Sequence, residues 1–138
     1  MIRRTRIALL LTLPLLGCSR VREVRECRAL SRVVRETIAA HERTTAPKSA
    51  ASYRAASALY ADTAKKIREM VSARTIAPAA EEYAAAVAAL SPAYAAYAAA
   101  LEANDSARAQ SALDELKASS TREQAASQKL EQVCQRGY

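Results

Sequence analysis

The sequence predicts an all-α protein, an up-down-up-down four-helix bundle. Two observations carry this. The first is composition: two Gly, four Pro, no Phe and no Trp in 138 residues, with a 51% apolar share to which Ala contributes most. Ala, Arg and Glu favour helix, whereas a β-sandwich or a dinucleotide-binding domain needs more Gly and more β-branched or aromatic strands. The second is periodicity: four segments of similar length repeat apolar residues at steps of three and four, with turn-forming residues between them. The length allows one domain, and the charge-only tracts of a disordered chain are missing.

The first element is an address. Arg3, Arg4 and Arg6 make a positive start, and Ile7 to Leu16 an apolar run interrupted only by Thr12 and Pro14. Ten helical residues reach about 15 Å, half of a ~30 Å hydrocarbon core, so residues 1–17 read as a signal peptide and not as a permanent span. Its end, Leu15-Leu16-Gly17-Cys18, resembles the lipobox of bacterial lipoproteins. In that family Leu15, Leu16 and Gly17 are the signal-peptidase recognition residues. The small Gly17 lets the peptidase approach, the Cys18 thiol accepts a diacylglyceryl group, and cleavage makes Cys18 the new N-terminus. The resemblance implies residues 18–138 as a mature domain, exported and anchored through lipidated Cys18. Ser19, where Asp often favours inner-membrane retention, resembles the pattern of lipoproteins sent to the outer membrane, facing the periplasm. Two acyl chains, each buried CH₂ contributing ~0.8 kcal/mol, suffice for stable anchoring.

Charge follows the same division. Three of the 21 basic residues lie in residues 1–17, leaving 18 against 14 acidic ones and a net +4. That excess is local: Arg20, Arg22, Arg25, Arg28, Arg32 and Arg35 face only Glu23 and Glu26. The basic pI suggests nucleic acid, but an exported protein meets none. Arg20, Arg22, Arg25 and Arg28 are candidate contacts to anionic lipid headgroups, each worth ~1 kcal/mol near the surface. The competing reading is a solvated helix face with Arg22–Glu26 and Arg20–Glu23 neighbours.

Helix one is expected over 20–43, with Val21, Val24, Cys27, Leu30, Val34, Ile38 and His41 as its stripe, and 44–47 as the break. Helix two fits 48–73, with Tyr53, Ala56, Tyr60, Thr63, Ile67 and Met70 inward. Helix three spans 78–103, with Pro78 in its first turn and Tyr83, Val87, Leu90, Tyr94, Tyr97 and Leu101 as its seam. Fifteen of the 27 residues from Ala77 to Ala103 are Ala, the best helix former. Pro92 is expected to kink this helix without splitting it, since the seam stays in phase across it. A donor from Ser119 or Ser120, or water in a small pocket, would then meet the carbonyl it frees. Asn104-Asp105 is a tight connection with Asp105 as N-cap. Helix four fits 106–135, on the line Ala109, Leu113, Leu116, Ser120, Ser127, Leu130 and Cys134.

With Cys18 assigned to lipid, Cys27 and Cys134 remain, an even pair in an oxidising compartment, and a disulfide between them is expected. Four antiparallel helices return the chain end to its start, so the bundle is closed by an N-to-C-terminal disulfide.

The chemistry of known sites is sparse. His41-Glu42 does not continue to His-Glu-x-x-His, because position 45 is Thr. There is no Cys-x-x-Cys-His, no Glu-x-x-His and no glycine-rich phosphate loop. The sequence therefore implies no catalytic residue, metal or cofactor. Glu81–Glu82 and Asp114–Glu115 read as solvated faces, since adjacent helical residues diverge. Tyrosines at seam spacing read first as core. The expectation is a non-enzymatic lipoprotein of the bacterial envelope, with a structural or interaction role towards another envelope protein. The alternative is a periplasmic ligand-binding module, with a pocket between helices at Tyr94, Tyr97 and Ser120.

Overall fold

The structure, a computed structural model, describes residues 15–136, with side chains from Ser19 onward. Four antiparallel helices account for nearly all of it: α1 (Leu15–Thr45), α2 (Ala50–Met70), α3 (Ala77–Glu102) and α4 (Ser106–Arg136). They form the up-down-up-down bundle, and there is no strand among the described residues.

The boundaries have local causes. α1 ends inside the expected break, at Thr45, whose hydroxyl donates to the His41 carbonyl at 2.8 Å. Lys48 then turns the chain at φ 49°, and its N–H donates to the Thr45 carbonyl. Ser49 opens α2 with a reciprocal capping box to Ser52, satisfying two backbone donors at a helix start. Asn104 tolerates the left-handed region at φ 51°, and Asp105 Oδ1 accepts from the Arg108 N–H at 3.0 Å as an N-cap. α3 starts with Pro78 in its first turn and runs through Pro92 unbroken.

α2 ends three residues earlier than its periodicity suggests, and Glu26 of α1 is the reason. Its carboxylate accepts from Ser72 N–H at 3.2 Å, Ala73 N–H at 3.0 Å and Ser72 Oγ at 2.8 Å. The backbone donors that would extend α2 are held by a side chain from another helix. The freed segment folds Ala73 and Ile76 into the core, with Ile76 only 2% exposed. Glu23, one turn earlier, accepts from Thr75 Oγ1 at 2.8 Å. The competing reading of a solvated Arg22–Glu26 face is thus corrected at one residue: Arg22 is exposed, but Glu26 is buried and pins the α2–α3 loop.

The apolar core gathers at the disulfide end. Leu30, Ile67, Ile76, Tyr83, Val87 and Leu130 pack there with small residues from all four helices. Hydroxyl pairs tie the upper seams, Thr37 with Thr63 at 3.1 Å and Ser57 with Ser91 at 3.0 Å. Ile67 is fully buried whereas Ile38 is 55% exposed. Ile67→Ala is therefore expected to cost about 2–5 kcal/mol in urea melts, and Ile38→Ala little.

α3 sits between α2 and α4 and packs most extensively on both. It is long and apolar enough to cross a membrane by length and composition. Its apolarity is alanine, and Ala84 and Ala98 are fully buried as close-packing residues. Glu81 reaches Arg68 on α2 at 2.9 Å, and Glu82 reaches Lys129 on α4 at 2.6 Å. The adjacent pair diverges to clamp both neighbours. On α4 the buried line is Ala112, Ser119, Ala126 and Leu130, largely one residue before the expected one. Small residues take the closest approach and push Leu113 and Leu116 to the flanks.

α1 packs on α2 but meets α4 only thinly. That fourth seam is closed covalently. The Cys27–Cys134 disulfide joins the two helices with 5.7 Å between Cα atoms.

Candidate functional site

Two features carry the residues singled out by sequence, the start of α1 and an aromatic cluster in the distal half; a third, the cleft along the thin α1–α4 seam, is seen only in the structure.

Residues 1–14 lie outside the described residues. Leu15, Leu16, Gly17 and Cys18 form the first turn of α1, their side chains also outside them. Beyond them no side chain is buried until Glu26. Arg20, Arg22, Arg25 and Arg28 are all exposed. Arg20, Val21, Val24, Arg25, Arg28 and Arg32 share one surface of the helix. Glu23 and Glu26 point the other way, into the α2–α3 loop.

Burial works against the Glu26 carboxylate, but the donors from Ala73 and Ser72 and the charge of Arg22 outweigh it. Its pKa falls below the ordinary 4.5.

The aromatic cluster comes from three helices. His41 of α1 lies 5.5 Å, ring to ring, from both Tyr60 and Tyr94. Tyr60 and Tyr94 stack at 5.3 Å, and Tyr53 meets Tyr97 edge-on at 4.8 Å. Tyr94 and Tyr97 are therefore packed with Tyr53, Tyr60 and His41. Ser120 is half-buried on α4 beside fully buried Ser119. The Ser119 hydroxyl is engaged within α4, donating to Glu115 Oε1 at 3.2 Å and accepting from Arg122 at 3.0 Å.

The cluster is electrostatically quiet. Burial pushes the Tyr60 and Tyr83 phenols up, and the nearby Glu123 carboxylate adds to the effect. Tyr94 is raised chiefly by burial. Burial also holds His41 below its ordinary 6.5, against the opposing charge of Glu42. His41 Nε2 lies 3.4 Å from the Tyr94 hydroxyl, while Nδ1 is buried with no hydrogen-bond partner. The imidazole is thus held neutral beside protonated phenols.

A base whose folded pKa is lowered binds more protons when unfolded. Its stabilising effect is complete above pH 6.5 and is lost as pH falls towards the lowered value. We expect denaturant midpoints of the wild type to fall between pH 7 and 5.5. His41→Phe, which keeps a ring and removes the orphaned nitrogen, should flatten that slope and match the wild type or exceed it by about 1 kcal/mol at pH 7.

Along the α1–α4 seam lie two cavities. One of about 390 Å³ is bounded by Val34 and Ile38 of α1, Tyr60 and Tyr83, and Glu123 and Ser127 of α4. The other, about 640 Å³, lies beside the disulfide between Leu30 and Leu130, with Arg28, Arg32 and Arg35 at its edge. Sequence reasoning did not find this cleft, because helix periodicity does not tell which pair of neighbours packs loosely. Among the described residues no group of three His, Cys, Asp or Glu is placed to hold a metal.

Comparison with protein-family models, with curated proteins and with solved structures finds no match.

Proposed function

We propose that the chain is a small non-enzymatic lipoprotein of a bacterial envelope, anchored through Cys18 and facing the periplasm at the outer membrane. Its bundle serves as a structural or docking element for another envelope protein. The observation that supports this is how the chain leaves the lipobox. Leu15-Leu16-Gly17-Cys18 runs directly into a basic helical stretch that contributes no buried side chain before Glu26. The first buried side chains among the described residues, Glu26 and Cys27, lie well beyond Cys18. About 12 Å of helix then separates Cys18 from the first buried group. Arg20, Arg22, Arg25 and Arg28 lie in that interval or beside it, near the headgroups.

Palmitate incorporation tests the anchor. The wild type is expected to take up the label and Cys18→Ala to take up none. A wild type without label would overturn the reading.

A second reading, a periplasmic ligand-binding module, is favoured by the cavity of about 390 Å³ on the α1–α4 seam, where tyrosines and a carboxylate meet apolar walls. Extraction of the purified protein and mass spectrometry of the extract separates the two. A stoichiometric small molecule supports the module, and an empty extract supports the docking role.

A further inference from the structure

Between residues 20 and 35 the fold sorts charge by sign. The two carboxylates turn inward, Glu23 onto Thr75 and Glu26 onto Ser72 and Ala73. Arg20, Arg25, Arg28, Arg32 and Arg35 are all exposed, with Arg28, Arg32 and Arg35 running along the rim of the α1–α4 cleft. Among the described residues none of these five enters an ion pair, whereas Arg54, Arg68, Arg108, Arg122 and Lys129 do; Arg43, Arg74 and Arg136 also lack one, but singly, near the ends of α1 and α4 and in the α2–α3 loop. Glu36, the next carboxylate along α1, pairs with none of them.

The result is a stripe of arginines about 22 Å long, reckoned at 1.5 Å per helical residue. It is not purely polar. Val21 sits in it at 60% exposure, one of two large apolar side chains so exposed among the described residues. Val24 lies half-buried on the same surface.

We propose that this stripe is a membrane-binding face for anionic lipid headgroups, along which α1 lies flat. The bundle then rests on its α1 side instead of standing on its end. The inference rests on the lipid-anchor reading above, which brings a bilayer to residue 18, and adds the lipid chemistry and the orientation. The charges fit either a bilayer or a soluble anionic polymer, and the exposed Val21 among them favours the bilayer. Unpaired guanidiniums recognise phosphate, and their aliphatic stems can lie along an apolar boundary together with Val21. A polymer would use the charges and leave Val21 in water.

The test is arginine labelling by phenylglyoxal on the protein as purified from membranes. It is reconstituted in neutral phosphatidylcholine vesicles or in vesicles containing phosphatidylglycerol, and each site is read by mass spectrometry. In anionic vesicles Arg25, Arg28 and Arg32 are expected to react at least about fivefold more slowly than in neutral ones, the ratio for one Arg at an anionic surface. Arg54 and Arg108, on α2 and α4, should not change, and high salt should abolish the difference. Equal labelling in both vesicles would overturn the proposal. So would protection by soluble polyphosphate without protection by anionic vesicles, which would assign the stripe to a polymer. The acyl mass on the Cys18 peptide is read in the same digest. Protection without acyl mass upholds the stripe and removes the anchor, while acyl mass without protection does the reverse.

Discussion

Replacing Cys27 and Cys134 by serine is expected to lower stability by up to about 4–5 kcal/mol, the chain-entropy value for a loop of this size. The bridge spans 107 positions and so constrains nearly the whole unfolded chain. Its folded-state role is just as large. α1 packs on α2, and its seam with α4 is thin. Without the bridge, little but packing against α2 and the Glu23 and Glu26 contacts keeps the start of α1 against the bundle. Reduction should therefore speed hydrogen exchange first in residues 19–34, while α3, enclosed by two neighbours, stays protected. Urea melts with and without reductant, read beside exchange mass spectrometry, check both statements. Coincident melts would show that α1 needs no covalent link.

Loss of the Glu26 carboxylate is expected to destabilise the protein as well. Glu26→Ala strips the acceptor from Ser72 N–H, Ala73 N–H and the Ser72 hydroxyl, and Ala73 is itself buried. Leaving the buried Ala73 donor unsatisfied costs about 1–3 kcal/mol, whereas water can reach the exposed Ser72. Glu26→Gln retains one oxygen and should cost about half of that.

The pH dependence follows from the sign of the shift. A carboxylate lowered on folding stabilises the protein fully above the ordinary 4.5, and that effect is lost as pH falls through its lowered value. The wild type should lose stability below pH 4.5, and Glu26→Gln should lose less over the same range. This window opens at pH 4.5 and that of His41 already at 6.5, and the two variants separate the contributions. Urea midpoints of both at pH 7, 5.5, 4 and 3 make the measurement. Parallel acid slopes in the wild type and Glu26→Gln would contradict the account.

Much of the architecture was legible because helix periodicity and Ala content are local properties. Tyr83, Val87 and Leu90 on α3, and Ala56, Thr63 and Ile67 on α2, are buried where steps of three and four place them. The disulfide followed from a count of thiols and from the return of the chain end. Besides the α1–α4 cleft, three features were not legible, each for a reason of scale.

Glu26 looks like any helical Glu beside an Arg, and its partners lie 46 and 47 positions away. The buried line of α4 is drawn by Ala112, Ser119 and Ala126, whereas the sequence pattern weighs large side chains. At a close helix contact the small ones go inside. The outward sorting of arginines depended on both glutamates being consumed by one loop. The resemblance of residues 15–18 to a lipobox is a signal of another kind: it concerns chemistry proposed to be performed on the chain, independent of packing.

The most direct test of the central claim, a lipid-anchored bundle closed by a disulfide, is the intact mass of the protein taken from membranes, with and without reductant before alkylation. The account predicts a chain beginning at Cys18, carrying acyl mass, and accepting two alkyl groups only after reduction. A chain still beginning at Met1 with three freely alkylated thiols would contradict both the anchor and the bridge.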